Sequence, residues 1–318
     1  MPPQIKIGRK IQTNCLGFAD DLALLATDID EAKTQISELQ NIASKIGLKI
    51  SFEKTVIMPQ KPTALKEINI NGNKVKIVAQ FKYLGEIITN NLNEKTSIQI
   101  RTNKLAKAQK LTWDIYRKKC LSINVKIKHY NTVIKPEATY AAETLFHLNE
   151  QSKTDKLQKI ERRIGRTCIN KKHQKDGQWR IVPNKVVYKE LEPITDTMRK
   201  RRLGFFGHIM RMPESRLLKQ LVQYNLNSKN TTTGCRWIRE IREDLKEIGL
   251  TPEDTIDKIK LNHKIKDTNL RFTLTKKQFT TRVFSIEERT RRSERMKKYW
   301  EDRKARTIPS KRCSKWTD

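Results

Sequence analysis

The spacing of apolar residues turns from mostly period two to helical near Asn93, and that change bounds what the chain can fold into. Before it, runs of period two surround one helical run. Leu48, Ile50 and Phe52 alternate with polar neighbours, which predicts a strand. Ile68 and Ile70, then Asn71-Gly72-Asn73, then Val75 and Ile77 predict a hairpin, because Asn-Gly supplies the left-handed turn conformations. Phe81 to Thr89 reads as a strand pair or a strand bent at Gly85. Leu16 to Ala26 is apolar apart from Asp20 and Asp21, and predicts two short strands joined at the acids. Between them, Ile29, Ala32, Ile36, Leu39, Ala43 and Ile46 recur at helical spacing, with Thr27 or Asp28 placed to cap and Gly47 to stop the helix.

Beyond Asn93 the period is helical. Ile98, Leu105, Ala108, Leu111 and Ile115 form one stripe, Pro136 opens a helix carrying Tyr140, Leu145 and Phe146, and a third runs near Lys153 to Cys168. The stretch 170–176 reads as a basic loop and 228–234 as a polar linker. In 199–212, Leu203, Phe205, Phe206, Ile209 and Met210 form a core face. The expectation is an α+β chain: an antiparallel sheet with one helix in 1–92, helical regions at 93–180 and 181–281, and a basic, solvated or disordered tail at 282–318.

Charge is the second bound. The 318 residues hold 67 Lys+Arg against 35 Asp+Glu, a formal net charge of +32, with mean hydropathy −0.73. Such a field attracts polyanions, and nucleic acid is the usual one. Phosphate contacts position a protein without reading bases, so charge predicts binding and not sequence specificity. Arg101, Lys104, Lys107, Lys110 and Lys118 fall largely off the apolar stripe of the first long helix and are candidate phosphate contacts. On that helix Trp113 and Tyr116 either stack on bases or pack against neighbouring helices. Arg199–Arg202 is either a phosphate-contact patch or a solvated helix start. The five cysteines are scattered and never in CxxC, and the five histidines are isolated, which argues against a disulfide scaffold and a zinc finger. A reducing intracellular compartment, nuclear or cytoplasmic, fits this usage. No apolar run approaches the roughly 20 residues of a membrane span, and Met1–Lys10 has no secretory segment.

Adjacent carboxylates in an apolar run oppose each other's ionisation. A bound cation removes that penalty, and Mg²⁺ prefers carboxylate oxygens; a tight turn, where aspartate is common, explains the pair without a metal.

The neighbourhood of the pair carries a resemblance. Phe18-Ala19-Asp20-Asp21, a helix, then Gly47-Leu48-Lys49-Ile50-Ser51-Phe52-Glu53-Lys54-Thr55, then Phe81-Lys82-Tyr83-Leu84-Gly85 are similar in kind and order to three boxes of the reverse-transcriptase palm, closest to the non-LTR retrotransposon branch. Arg201 to Met210 also resembles the segment that follows the thumb in insect-type elements. The resemblance implies a partial palm followed by a helical thumb, and RNA-directed DNA synthesis in which two Mg²⁺ about 4 Å apart stabilise the attacking and leaving oxygens. It implies that Asp20 is the main metal ligand with Asp21 supporting it, that Lys54 lies near the nucleotide phosphates, and that Phe81, Tyr83, Leu84 and Gly85 hold the primer end. The implied partners are an RNA template with a DNA primer, or their hybrid, and deoxynucleotides when the site is complete. The chain departs from the family in carrying Ser51 where the second box has asparagine. No counterpart of the earlier palm box with its catalytic aspartate, of the fingers or of an N-terminal endonuclease stands ahead of Phe18. The expectation is therefore a metal site that this chain alone leaves incomplete, and as a second reading a non-catalytic, basic RNA- or DNA-binding protein derived from such an element.

Overall fold

The computed structural model describes residues 5–7, 11–61, 63–92, 94–146, 148, 151–169, 173–175, 178–227, 235–267 and 294. The linker at 228–234 and nearly all of the tail from 282 lie outside them. The chain divides into a unit Met1–Thr273, described below, and a unit Leu274–Asp318, of which only Glu294 is described.

The α+β expectation holds. β1 (Ile5–Ile7) pairs antiparallel with β2 (Ile11–Thr13), and β3 (Cys15–Phe18) with β4 (Asp21–Leu24). α1 (Ile29–Lys45) follows. Asp28 caps it by accepting from the Glu31 N–H, the Glu31 carboxylate reaches back to the Thr27 N–H and hydroxyl, and Gly47 ends it at φ 77°. β5 (Val56–Ile57), β6 (Glu67–Ile70) and β7 (Asn73–Ile77) form a sheet in the order β5-β7-β6, with β5 parallel to β7. β8 (Gln80–Tyr83) and β9 (Glu86–Thr89) form a separate hairpin.

The expected antiparallel pairing is divided among separate hairpins and one small mixed sheet. One correction applies to this half. Leu48, Ile50 and Phe52 form no strand: the Ser51 carbonyl accepts from the N–H groups of Lys54 and Thr55 and from the Thr55 hydroxyl, so a local turn takes the bonds a ladder would need. The core here is small. Ile36 of α1 meets Ile70 and Val75 of the sheet, with Leu24, Phe52, Ile57 and Ile68 packed around them.

The helical half follows as α2 (Lys95–Arg117), α3 (Ile123–His129), a π-helical turn Tyr130–Ile134, α4 (Lys135–Thr139), a 3₁₀ turn Ala142–Thr144 and α5 (Gln151–Ile169). Then come β10 (His173–Lys175), β11 (Gln178–Arg180), α6 (Asn184–Glu190), α7 (Ile194–Met210), α8 (Leu217–Asn227), α9 (Arg236–Glu247) and α10 (Lys258–Lys266). Pro136 sits in the first turn of α4, directly after the π-helical turn. That helix stops at Thr139, so Tyr140, Leu145 and Phe146 lie past it rather than on it. Residues 173–175 pair with 178–180 as a hairpin where a loop was expected.

α7 is the central element. Ile194 and Met198 at its start join one core with Leu105, Tyr116, Tyr130, Leu157 and Ile164, while Leu203, Phe206 and Ile209 join a second with Val222, Ile241 and Leu245. Arg199 and Arg202 lie between. Arg202 is 0% exposed, donating to the Leu145 carbonyl and pairing with Glu240 and Asp244; Arg199 Nε donates to Asp244 at 2.7 Å. The Arg199–Arg202 run is thus neither a phosphate patch nor a solvated start. Two of its cations are the buried clasp between α7 and α9, while Lys200 pairs with Glu192 and Arg201 with Glu143.

Candidate nucleic-acid interface

β3 and β4 place the acid pair at a hairpin tip. Phe18 faces Asp21 across the ladder, and Ala19, at φ 51°, turns the chain with Asp20. Leu24 anchors the base of the hairpin in the small core, and the Leu25 carbonyl is held by Gln35 Nε2 at 3.0 Å. The tip projects beyond that core: Phe18 is 64% exposed, and Leu16 and Leu22 are exposed too. Among the described residues neither Asp20 nor Asp21 has a side-chain hydrogen bond or ion pair, so the turn does not consume its carboxylates. Lys54 lies exposed in the turn after Phe52, which packs on the same core as Leu24. Among the described residues no group of three or more His, Cys, Asp or Glu converges on a metal position. The pair therefore does not fit a two-metal site by itself, and no chemical step is assigned to it.

The Phe81-Lys82-Tyr83-Leu84-Gly85 box occupies β8 and the turn into β9. Leu84 and Gly85 both have positive φ, 47° and 85°, the pair of conformations a two-residue hairpin turn demands. Asn71 and Gly72 do the same between β6 and β7 at 50° and 82°. Phe81 and Leu84 are exposed and Tyr83 is half-buried. The tip is fastened to the helical half. The Tyr140 hydroxyl donates to the Leu84 carbonyl at 2.9 Å, and a Cβ on Gly85 would stand 3.0 Å from the Tyr140 ring. One residue on, Glu86 accepts from Arg101 and from the Ser97 hydroxyl.

That contact corrects the reading of Arg101. It is 4% exposed, its guanidinium shared among Glu86 and the carbonyls of Ala138 and Tyr140. Burial pulls its pKa down and Glu86 opposes the fall. An arginine so enclosed cannot meet a phosphate. It joins the hairpin to α2 and to the end of α4.

The lysines expected beside it are placed otherwise. Lys104, Lys107, Lys110 and Lys118 are exposed, and none forms an ion pair among the described residues. Asp114, one turn from both Lys110 and Lys118, is the only acid between Lys95 and Arg117, so this face of α2 carries net positive charge. The apolar stripe is displaced from its expected course. Ile98, Leu105, Thr112 and Tyr116 are buried, whereas Leu111 (70% exposed) and Ile115 face out. Of the two aromatics, Tyr116 packs inward and shares a hydrogen bond with His129 Nδ1 at 2.7 Å, and Trp113 stays exposed with the Arg117 guanidinium 5.7 Å from its ring centre. Arg117 was not among the expected contacts, although its position four residues after Trp113 was the signal for it.

Among the described residues no helix is long and apolar enough to cross a membrane. The chain matches no family model. It is similar to an uncharacterized transposon-derived protein of Caenorhabditis elegans, with 23% identity over 242 residues that cover 72% of this chain and 84% of that protein.

Proposed function

We propose that this chain derives from a transposable element as the palm-and-thumb part of a reverse transcriptase, and that by itself it holds nucleic acid, either RNA–DNA hybrid or template with primer, through phosphate contacts that read no sequence. The exposed lysines of α2 and its C-cap carry the reading, because four cations without an ion-pair partner among the described residues gain by displacing counterions from a phosphate backbone. Support comes also from the three palm-like boxes in order and from the transposon derivation of the similar worm protein. Binding by the chain alone is what the exposed lysines support, and polymerase activity would need metal ligands beyond Asp20 and Asp21. Mg²⁺ and deoxynucleotides enter the reading only when further ligands complete that site.

The test is a titration of the full chain into a labelled RNA–DNA hybrid, beside a variant with Lys104, Lys107, Lys110 and Lys118 changed to glutamate. The wild type is expected to bind hybrids of unrelated sequence alike, and the variant to lose at least about a hundredfold in affinity, several phosphate contacts each contributing. Unchanged binding by the variant rejects α2 as the interface. In primer extension on an RNA template with Mg²⁺, the chain alone is expected to give no product, and extension abolished by Asp20→Ala would reject the non-catalytic reading.

A further inference from the structure

The lysines of α2 are not its only exposed chemistry. Gln99, Asn103, Ala106, Lys110, Trp113 and Arg117 follow one another at alternating intervals of four and three residues, so they form a single strip along the helix. All but Ala106 are exposed, and Gln99 Nε2 donates to Asn103 Oδ1 at 2.8 Å. Trp113 leaves 42% of its surface in water, although Tyr116, one turn on, is buried. Arg117 lies over the ring, 5.7 Å from its centre, and the 42% exposure leaves part of the indole open to a flat partner.

We infer that this strip is a stacking site for unpaired bases of single-stranded nucleic acid, with Trp113 as the platform and Lys110 and Arg117 holding the phosphates on either side. Every base has a π-face that can lie on an indole, but in a duplex those faces are already stacked on neighbouring pairs. The ring therefore recognises an unpaired strand where the lysines alone accept any polyanion. A protein partner is the poorer occupant, because the neighbours of Trp113 on its strip are cations and amides, while the exposed apolar pair Leu111 and Ile115 lies on a different side of the helix. The proposal rests on the nucleic-acid reading above and adds to it a site for an unpaired strand.

The experiment uses the full chain, a labelled oligothymidylate and a DNA duplex of equal length at one salt concentration. Trp113→Ala is expected to weaken single-strand binding about tenfold, the usual scale for losing one aromatic stack, and to change duplex binding less than about twofold. Trp113→Phe keeps a ring and is expected to retain single-strand affinity within about threefold. The indole emission lost between wild type and Trp113→Phe is expected to be quenched by oligothymidylate and not by duplex, a readout that holds even if the alanine variant fails to fold. Equal losses on both ligands, or no quenching, overturn the stacking site while leaving charge-driven binding intact. Failure of the wild type to bind either ligand overturns both.

Discussion

Leu84 is a single residue whose conformation conflicts with its identity. A non-glycine side chain in the left-handed region costs about 1–2 kcal/mol, and the hairpin needs that conformation at Leu84 as it does at Asn71. Leu84→Asn is expected to raise stability by about 1 kcal/mol, read as a higher denaturant midpoint, because asparagine tolerates the region and the backbone bond to Tyr140 survives. A lower midpoint would mean that the exposed leucine side chain contributes packing worth more than its strain. Asp244 is the opposite case. It serves two buried arginines, so Asp244→Ala is expected to cost about 3–5 kcal/mol, enough to lower the melting temperature sharply. Equal stability would show that the clasp is replaceable. The sequence marked the Arg199–Arg202 run but left its surroundings open, because the acids that partner its two buried arginines lie about forty residues away on α9. Arg101 failed for the same reason. Its anchoring acid is on a hairpin upstream, and no local pattern announces that pairing.

At the scale of elements, local rules were legible and register was not. Thr27 or Asp28 predicted the start of α1, Asn71-Gly72 the turn between β6 and β7, and the apolar flanks of Asp20 and Asp21 a hairpin. The strand expected at Leu48–Phe52 did not form, since alternation creates a strand only where a partner edge exists, and here Ser51 and Thr55 close a turn. The contact of α5 with α7 carries its own pH response. Glu161 is enclosed, accepting from the Tyr130 hydroxyl at 3.0 Å and the Ile194 N–H at 2.9 Å; burial pushes its pKa up to about 7, with Lys135 opposing the rise. A carboxyl whose folded pKa exceeds its unfolded value of about 4.5 favours the fold most below that lower value, and the favour is lost as pH rises through about 7. Glu161→Gln removes the titration. The variant is expected to gain stability relative to wild type between pH 5 and pH 8, by up to about 3 kcal/mol, as measured by denaturation at each pH. A difference that stays flat across that window would mean that Glu161 does not titrate in it.

For the whole molecule the governing quantity is where the charge lies. The net +32 is a property of composition, but some of those cations are spent inside: Arg101, Arg199 and Arg202 are buried against carboxylates. What remains for a ligand is the exposed set, which includes Lys104, Lys107 and Lys110 on α2 and Lys118 at its C-cap, without ion-pair partners among the described residues. The link from Arg101 and Tyr140 to the Leu84–Gly85 turn fixes the β8–β9 hairpin, with its exposed Phe81 and Leu84, against that same helix. The most direct measurement is the salt dependence of hybrid binding by the wild type and by a variant with those four lysines changed to alanine. Each phosphate contact adds about 0.9 to the slope of log affinity against log salt, so the account predicts a steep negative wild-type slope that becomes shallower by about three to four in the variant. An affinity that barely changes with salt, or a slope identical in the two proteins, would contradict it.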